Sequence, residues 1–235
     1  MTIGYDNLPM LYGTVLDIPM FEGVGTLAHD ISRAPATALD KTMTLTGPPT
    51  WANWPLSNIP ILSFNPATPD FLELAAAEST DMDFQVGAFS VAAWIYVDDL
   101  SANRMLFCRG LLDTDGWHMA ILINGSVAFY TNQAAANQVS ISTAGDIAIA
   151  GWYFVGATRL TTSIRLYVNA VDVTATVGVH TDPLTSARKL HIGVYDTEVA
   201  SMWDGYIWRP RVWSRQISAA EMIQLFEMER GLFGV

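Results

Sequence analysis

The sequence predicts an all-β sandwich with one short helix near its C-terminus. Three observations carry that prediction. Apolar runs of strand length recur along all 235 residues, divided by Gly, Asn, Asp, Pro and Ser. Only one stretch has helical periodicity. The composition is 51% hydrophobic and 15% charged, which supports a packed core and excludes disorder. A chain of this length suits one generous domain, and no Pro-, Ser- or Gly-rich linker divides it.

In chain order the strands are expected at Ile61–Phe64, Phe71–Leu74, Phe89–Val97, Met105–Arg109, His118–Ile123 and Val127–Thr131. Further ones follow at Val139–Ser142, Trp152–Arg159, Ile164–Asn169, Val171–Val177, Lys189–Gly193 and Tyr206–Trp213. Phe89–Val97 is apolar at every second position on both faces, so it belongs inside a sheet with both sides covered. Val171, Val173, Ala175 and Val177 alternate with Asp172, Thr174 and Thr176, which predicts one buried and one wet face. Pro210 cannot donate to a ladder, so its strand is expected at an edge or bulged there. Ser218 and Glu221 have capping-box spacing. The helix then runs from Ala219 to Glu229, with Met222, Leu225, Phe226 and Glu229 on one side and Arg230 and Gly231 closing it.

The charge pattern narrows the partners. The net charge is −11, and residues 1–103 hold twelve acids against only Arg33 and Lys41. Phosphate backbones need a basic footprint, so nucleic acid and anionic membrane surfaces are poor partners. No apolar run reaches 18 residues, so no membrane insertion is expected. The start, MTIGYDNLPM, has neither a charged n-region nor an apolar h-region, so no secretory signal is expected. The one cysteine, Cys108, forms no internal disulfide.

Several blocks resemble one family. Leu16–Thr26 with His29–Ser32, then Leu45–Trp51, Ile61–Phe64 and Asp70–Leu74, follow its opening order. Phe89–Val97 resembles the strand whose Trp is a hallmark. Trp152–Val155, Ile164–Asn169, Leu190–Gly193, Trp203–Ile207 and Val212–Glu221 are similar to its later strands and closing helix. Across roughly residues 14–229 the chain resembles a laminin G-like domain of the concanavalin A-like lectin/glucanase superfamily, in the pentraxin-like branch of bacterial and phage proteins. That resemblance implies a concanavalin A-like jelly-roll sandwich of two antiparallel sheets. Two departures stand out. Asn169-Ala170 replaces the usual Asn-Gly at a hairpin tip, and since Ala resists φ > 0 another turn type is expected. The strand after Asp204-Gly205 carries Arg209 and Arg211 where the family favours acids.

The superfamily includes retaining glucanases, whose chemistry needs two carboxyls about 5–5.5 Å apart. The nearest pattern, Asp81-Met-Asp83-Phe-Gln85, ends in Gln and reads as a solvated loop, so no catalysis is expected. His29, His118, His180 and His191 lack zinc spacing and read as packed or loop histidines. Calcium prefers several hard oxygens from one loop, and relatives of this fold often hold it. Asp113 and Asp115 are therefore the candidate Ca2+ ligands, with Asp98-Asp99 and Asp196 with Glu198 or Asp204 as alternatives. Among eight tryptophans, Trp94 reads as core and Trp51, Trp54, Trp152 and Trp213 as packing. Trp117 and Trp203 sit beside Asp-Gly turns, where an aromatic plate meets acceptors as a sugar site requires. With Asp204 and Tyr195 they are the candidate ligand-binding residues.

Two functions follow as expectations. One is a non-enzymatic module gripping cell-surface or host polysaccharide. The other is a structural subunit docked on capsid or fibre proteins, as an oligomer or part of an assembly. The low charged fraction and lopsided acidity suit a molecule with one docked and one displayed side. A fold that works outside cells without an export signal is expected on a virion surface, released by lysis. An extracellular or cell-surface protein is the alternative.

Overall fold

The computed structural model describes residues 9–32, 41–47 and 49–235. Arg33 and residues 1–8, most of the N-terminal stretch MTIGYDNLPM, lie outside them. The strands are β1 Thr14–Asp17, β2 Leu27–His29, β3 Thr42–Thr46, β4 Thr50–Asn53, β5 Pro60–Phe64 and β6 Phe71–Leu74. Next come β7 Phe89–Val97, β8 Arg104–Leu111, β9 Asp115–Ile121, β10 Val127–Gln133, β11 Ala136–Ser142 and β12 Trp152–Leu160. The last are β13 Ser163–Val168, β14 Val171–Asp172, β15 Thr174–Thr176, β16 Leu190–Ile192 and β17 Gly205–Trp213, before helix α1, Ala219–Glu229. They form two antiparallel sheets. One runs β14-β13-β12-β7-β17-β5-β4, with β1 on β17; the other runs β15-β11-β10-β9-β8-β16-β6-β3-β2.

Strand β7 shows how the layers are built. It lies between β12 and β17, and successive side chains point to opposite faces. Phe89 faces the other sheet, its ring 5.6 Å from Trp117 and 5.6 Å from Phe129. Trp94 faces outward and stacks 5.7 Å from Phe226 of α1. The strand is thus covered on both sides, and the fold has three layers: helix, eight-stranded sheet, nine-stranded sheet. Gly156, opposite Ala92, lets the helix come close, since a Cβ there would stand 2.9 Å from Met222.

The helix is fixed at both ends. The Ser218–Glu221 capping box forms as the spacing requires. At the other end the chain passes into a 3-10 turn, Arg230–Leu232, and the left-handed glycine is Gly234 at φ 75°, not Gly231. Glu229 accepts from Trp94 Nε1 at 2.9 Å, from Arg209 at 2.9 Å and from Arg211. Arg209 also reaches Asp17 of β1 at 3.1 Å. The unusual Arg209 and Arg211 therefore neutralise buried acids and tie β1, β17 and α1 together. Pro210 lies in an interior strand at a bulge between Trp208 and Arg211, and its carbonyl accepts from Ile18.

Two local expectations change. Asn169 and Ala170 both have positive φ, 48° and 64°, so the Val168–Val171 hairpin keeps the conformation expected of Asn-Gly. The Asn169 side chain holds it by accepting from the Phe154 amide at 3.0 Å. Val171–Val177 is not one half-buried strand. β14 pairs with β13 in one sheet and β15 with β11 in the other, so the segment crosses the rim and leaves Val171 and Val177 exposed.

Candidate functional site

The outer face of the nine-stranded sheet, away from the inter-sheet core, carries the chemistry. Register places Glu73 opposite His191, His191 opposite Cys108, Cys108 opposite His118 and His118 opposite Tyr130. Facing residues share a side, so one row of Glu, His, Cys, His and Tyr runs across five strands. The Cys108 thiol at its centre is fully buried, donates to the Gly110 carbonyl at 3.2 Å and is pushed by burial up to about 12. It is an inert spacer.

The loop between β16 and β17 folds over this row. It is anchored by Met105 N–H to Ser201 O at 2.8 Å, by Gly193 N–H to Leu106 O at 3.2 Å and by Trp203 N–H to Gly193 O at 2.7 Å. Gly193 turns the chain at φ 93°, where a Cβ would press within 2.9 Å of the Phe64 ring. Between this loop and the sheet lies a hollow of about 290 Å³. Met105, Ala120 and Leu122 make an apolar floor, and Leu112 and Ala200 line it as well. Polar and aromatic groups converge on it from His118, Tyr130, Tyr195, Asn103 and Ser201.

The electrostatics of the hollow are neutral. His118 and Tyr130 stack with centroids 4.4 Å apart at 18°, and Tyr195 stands edge-on to His118 at 5.9 Å and 80°. Burial pushes the His118 imidazole down to about 3, so the ring is uncharged at neutral pH. Its Nδ1 lies 3.3 Å from the Asn132 amide nitrogen, which leaves the proton on Nε2 as a donor. Burial raises both tyrosines, so both phenols stay protonated. The Tyr195 hydroxyl accepts from the Leu112 amide at 2.8 Å. Among the described residues, none that lines it is Asp, Glu, Lys or Arg. This surface can hold a neutral polyol through phenol, imidazole, amide and hydroxyl groups set against apolar floor atoms.

Of the sequence-predicted ligand residues, Tyr195 lines this hollow. Trp117 and Trp203 do not present a face to solvent: both are 0% exposed. Strand alternation is the reason for Trp117. It points inward, donating to Met82 O at 2.9 Å and stacking on Phe129 at 5.8 Å, while its neighbour His118 points outward. Trp203 is the buried foot of the β16–β17 loop. Asp204 is part-buried, 3.5 Å from Arg104 and raised chiefly by that burial. The predicted calcium ligands are engaged elsewhere. Asp113 accepts from Asn137 at 2.6 Å, and Asp115 binds Arg188 at 3.2 Å, which also takes Asp196 at 2.7 Å. Sequence reasoning missed His118, Tyr130 and His191. Strand alternation marks the outward positions, but only cross-strand register brings them together.

Comparison with known proteins agrees with this architecture. Residues 73–222 match the Laminin_G_3 family, described as the concanavalin A-like lectin/glucanases superfamily. The chain belongs to that family. No curated protein matches it. Among solved structures, the laminin G-like chain is similar to the receptor binding domain of botulinum neurotoxin D, with TM-score 0.71 and 11% identity over 94% of this chain and 54% of that one. It is similar to the serotype G binding domain, with TM-score 0.69 and 12% identity over 92% and 51%. A third similar structure is described under the heading that cell entry of botulinum neurotoxin type C depends on interaction with two ganglioside molecules. Its TM-score is 0.65, at 12% identity over 93% and 52%. The laminin G-like chain thus spans about half the length of the structures it matches.

In this laminin G-like fold the Asp81–Gln85 stretch is only half solvated, with Asp81 and Gln85 exposed but Met82 and Phe84 buried. Thr80–Met82 is a 3-10 turn with Met82 fully buried. Asp81 pairs with Lys41 at 2.7 Å. Asp83 pairs with Arg109 at 3.2 Å and accepts from the Ser186 amide at 3.1 Å, and burial raises its carboxyl above the usual range. His180 is also buried, between Thr131 and Ser140 at 2.9 Å each, and burial with help from Arg159 lowers it to about 4. His29 is the exposed histidine, paired with Glu22 at 3.0 Å.

Proposed function

We propose that this protein is a non-enzymatic glycan-binding module whose sugar sits in the hollow walled by Tyr195, Tyr130 and His118. The observation that carries this reading is the character of that hollow: uncharged, part aromatic, with donors and acceptors above an apolar floor. Its volume is just under the roughly 300–1,000 Å³ usual for small-molecule sites, which suits one terminal sugar ring better than a chain. The lack of a carboxylate among the described residues lining it supports holding a glycan over hydrolysing one. The ganglioside dependence stated for one structural neighbour supports the same ligand class. A cell-surface or host polysaccharide is the partner we infer, with the protein displayed on a virion surface.

The test is a glycan array with wild-type protein and with Ala200→Trp, which plugs the hollow from its exposed lip. Specific binding lost in the plugged, folded variant supports the reading; binding that survives the plug overturns it. Labelling purified particles with an antibody to the protein tests the virion setting. A second reading, a purely structural subunit docked on capsid or fibre proteins, is favoured by one short stretch. There Phe21, Val24 and Leu27 are 66%, 74% and 43% exposed. A blank array from folded protein that still binds particles would select it.

A further inference from the structure

At the other end of the outer-face row, Glu73, His191 and Glu198 each bring one ligand atom within 4.8 Å of the others. His191 is only 2% exposed, and neither of its ring nitrogens has a hydrogen-bond partner among the described residues. Its Nε2 lies 3.3 Å from Glu198 Oε1, off the line of a hydrogen bond. Buried polar nitrogens are nearly always satisfied, so an unpartnered imidazole aimed between two carboxylates points to something it binds. The Phe71 ring packs against the imidazole in a T-shaped contact, 5.4 Å away at 88°.

We propose that Glu73, His191 and Glu198 form a binding site for a first-row divalent transition metal, which takes over the counter-charge that Lys189 supplies. Lys189 stands 2.6 Å from Glu73 and 3.5 Å from Glu198, half-exposed on a flexible stem, so it neutralises both acids and can swing away. It bonds neither nitrogen of His191. Imidazole with two carboxylates suits a zinc-like ion, whereas calcium and magnesium favour oxygen-only sets. Two donors about 2.0–2.1 Å from a tetrahedral ion stand about 3.3–3.4 Å apart. The His191–Glu198 pair already has that spacing, and Glu198, 42% exposed, has room to bring the rest in. Glu198 belongs to the loop that walls the hollow, but this proposal does not depend on what the hollow binds.

Calorimetric titration of the chelator-treated protein with ZnCl2 tests it. Single-site binding is expected. Glu198→Ala and Glu73→Gln should each weaken it by at least the roughly 10–100-fold that even an outer-shell partner costs, and Lys189→Met should tighten it. His29→Ala should change nothing, because that exposed pair with Glu22 is the alternative seat for zinc. Metal-free melting curves of the variants establish that each is folded. No binding, binding that survives both Glu substitutions, or binding abolished by His29→Ala would overturn the site. Ca2+ titrating in place of Zn2+ with the same variant pattern would overturn the metal class.

Discussion

Acid should weaken this protein through buried neutral histidines, His118 and His180 above all, before most carboxylates titrate. His118 and His180 are 3% and 0% exposed, and burial lowers them to about 3 and about 4 from the ordinary 6.5. Below pH 6.5 the unfolded chain takes up protons at both rings and the folded chain does not. Their neutral burial therefore costs nothing above pH 6.5, and stability falls as pH drops toward the folded values. At pH 5 each unfolded ring has gained about 1.5 pH units of proton binding, which at 1.36 kcal/mol per unit is about 2 kcal/mol. The two rings together remove about 4 kcal/mol between pH 8 and pH 5, a large share of a typical 5–15 kcal/mol stability. Asp30, Asp83 and Asp204, all raised chiefly by burial, act in the opposite direction, so the informative quantity is a difference between variants. Urea unfolding of wild type and His118→Gln at both pH values measures it. The variant should lose about 2 kcal/mol less than wild type over that interval. Equal losses in the two proteins would refute the assignment of a buried, neutral His118.

Other substitutions separate structural roles from binding roles. Trp203→Ala should destabilise by about 3–5 kcal/mol in chemical denaturation, as expected for a fully buried aromatic that seats the β16–β17 loop. Glu229→Gln leaves Arg209 and Arg211 short of their shared carboxylate and should cost about 3–5 kcal/mol, with increased amide exchange along α1. Ala135→Gly should raise stability by about 1 kcal/mol, since Ala135 is exposed at φ 61°, a conformation glycine adopts without strain.

The sandwich was readable because its central strands announce themselves. Phe89–Val97 is apolar on both faces since one meets the second sheet and the other meets the helix, and Ser218 and Glu221 mark the helix start with their own side chains. Strands such as Thr14–Asp17, Thr42–Thr46 and Thr50–Asn53 escaped as separate elements because they are only four or five residues long. The site was legible only at Tyr195. Trp117 and His118 are neighbours in sequence on opposite faces, and an Asp-Gly turn beside a tryptophan does not say which one faces outward. The row from Glu73 to Tyr130 takes in His191, more than a hundred positions from its partner Glu73. It comes into being only through strand register, which no local pattern encodes. The same holds for Arg209 and Arg211, whose acidic partners come from β1 and α1.

The central claim is that a glycan seats against Tyr195, Tyr130 and His118. The most direct measurement is a titration of the best array glycan into protein followed by the aromatic NMR signals of those three rings. The account predicts concentration-dependent shifts at all three, the buried indoles of Trp117 and Trp203 moving far less, and no shifts in folded Ala200→Trp. Shifts confined to rings elsewhere, or unchanged by the plug, would contradict it.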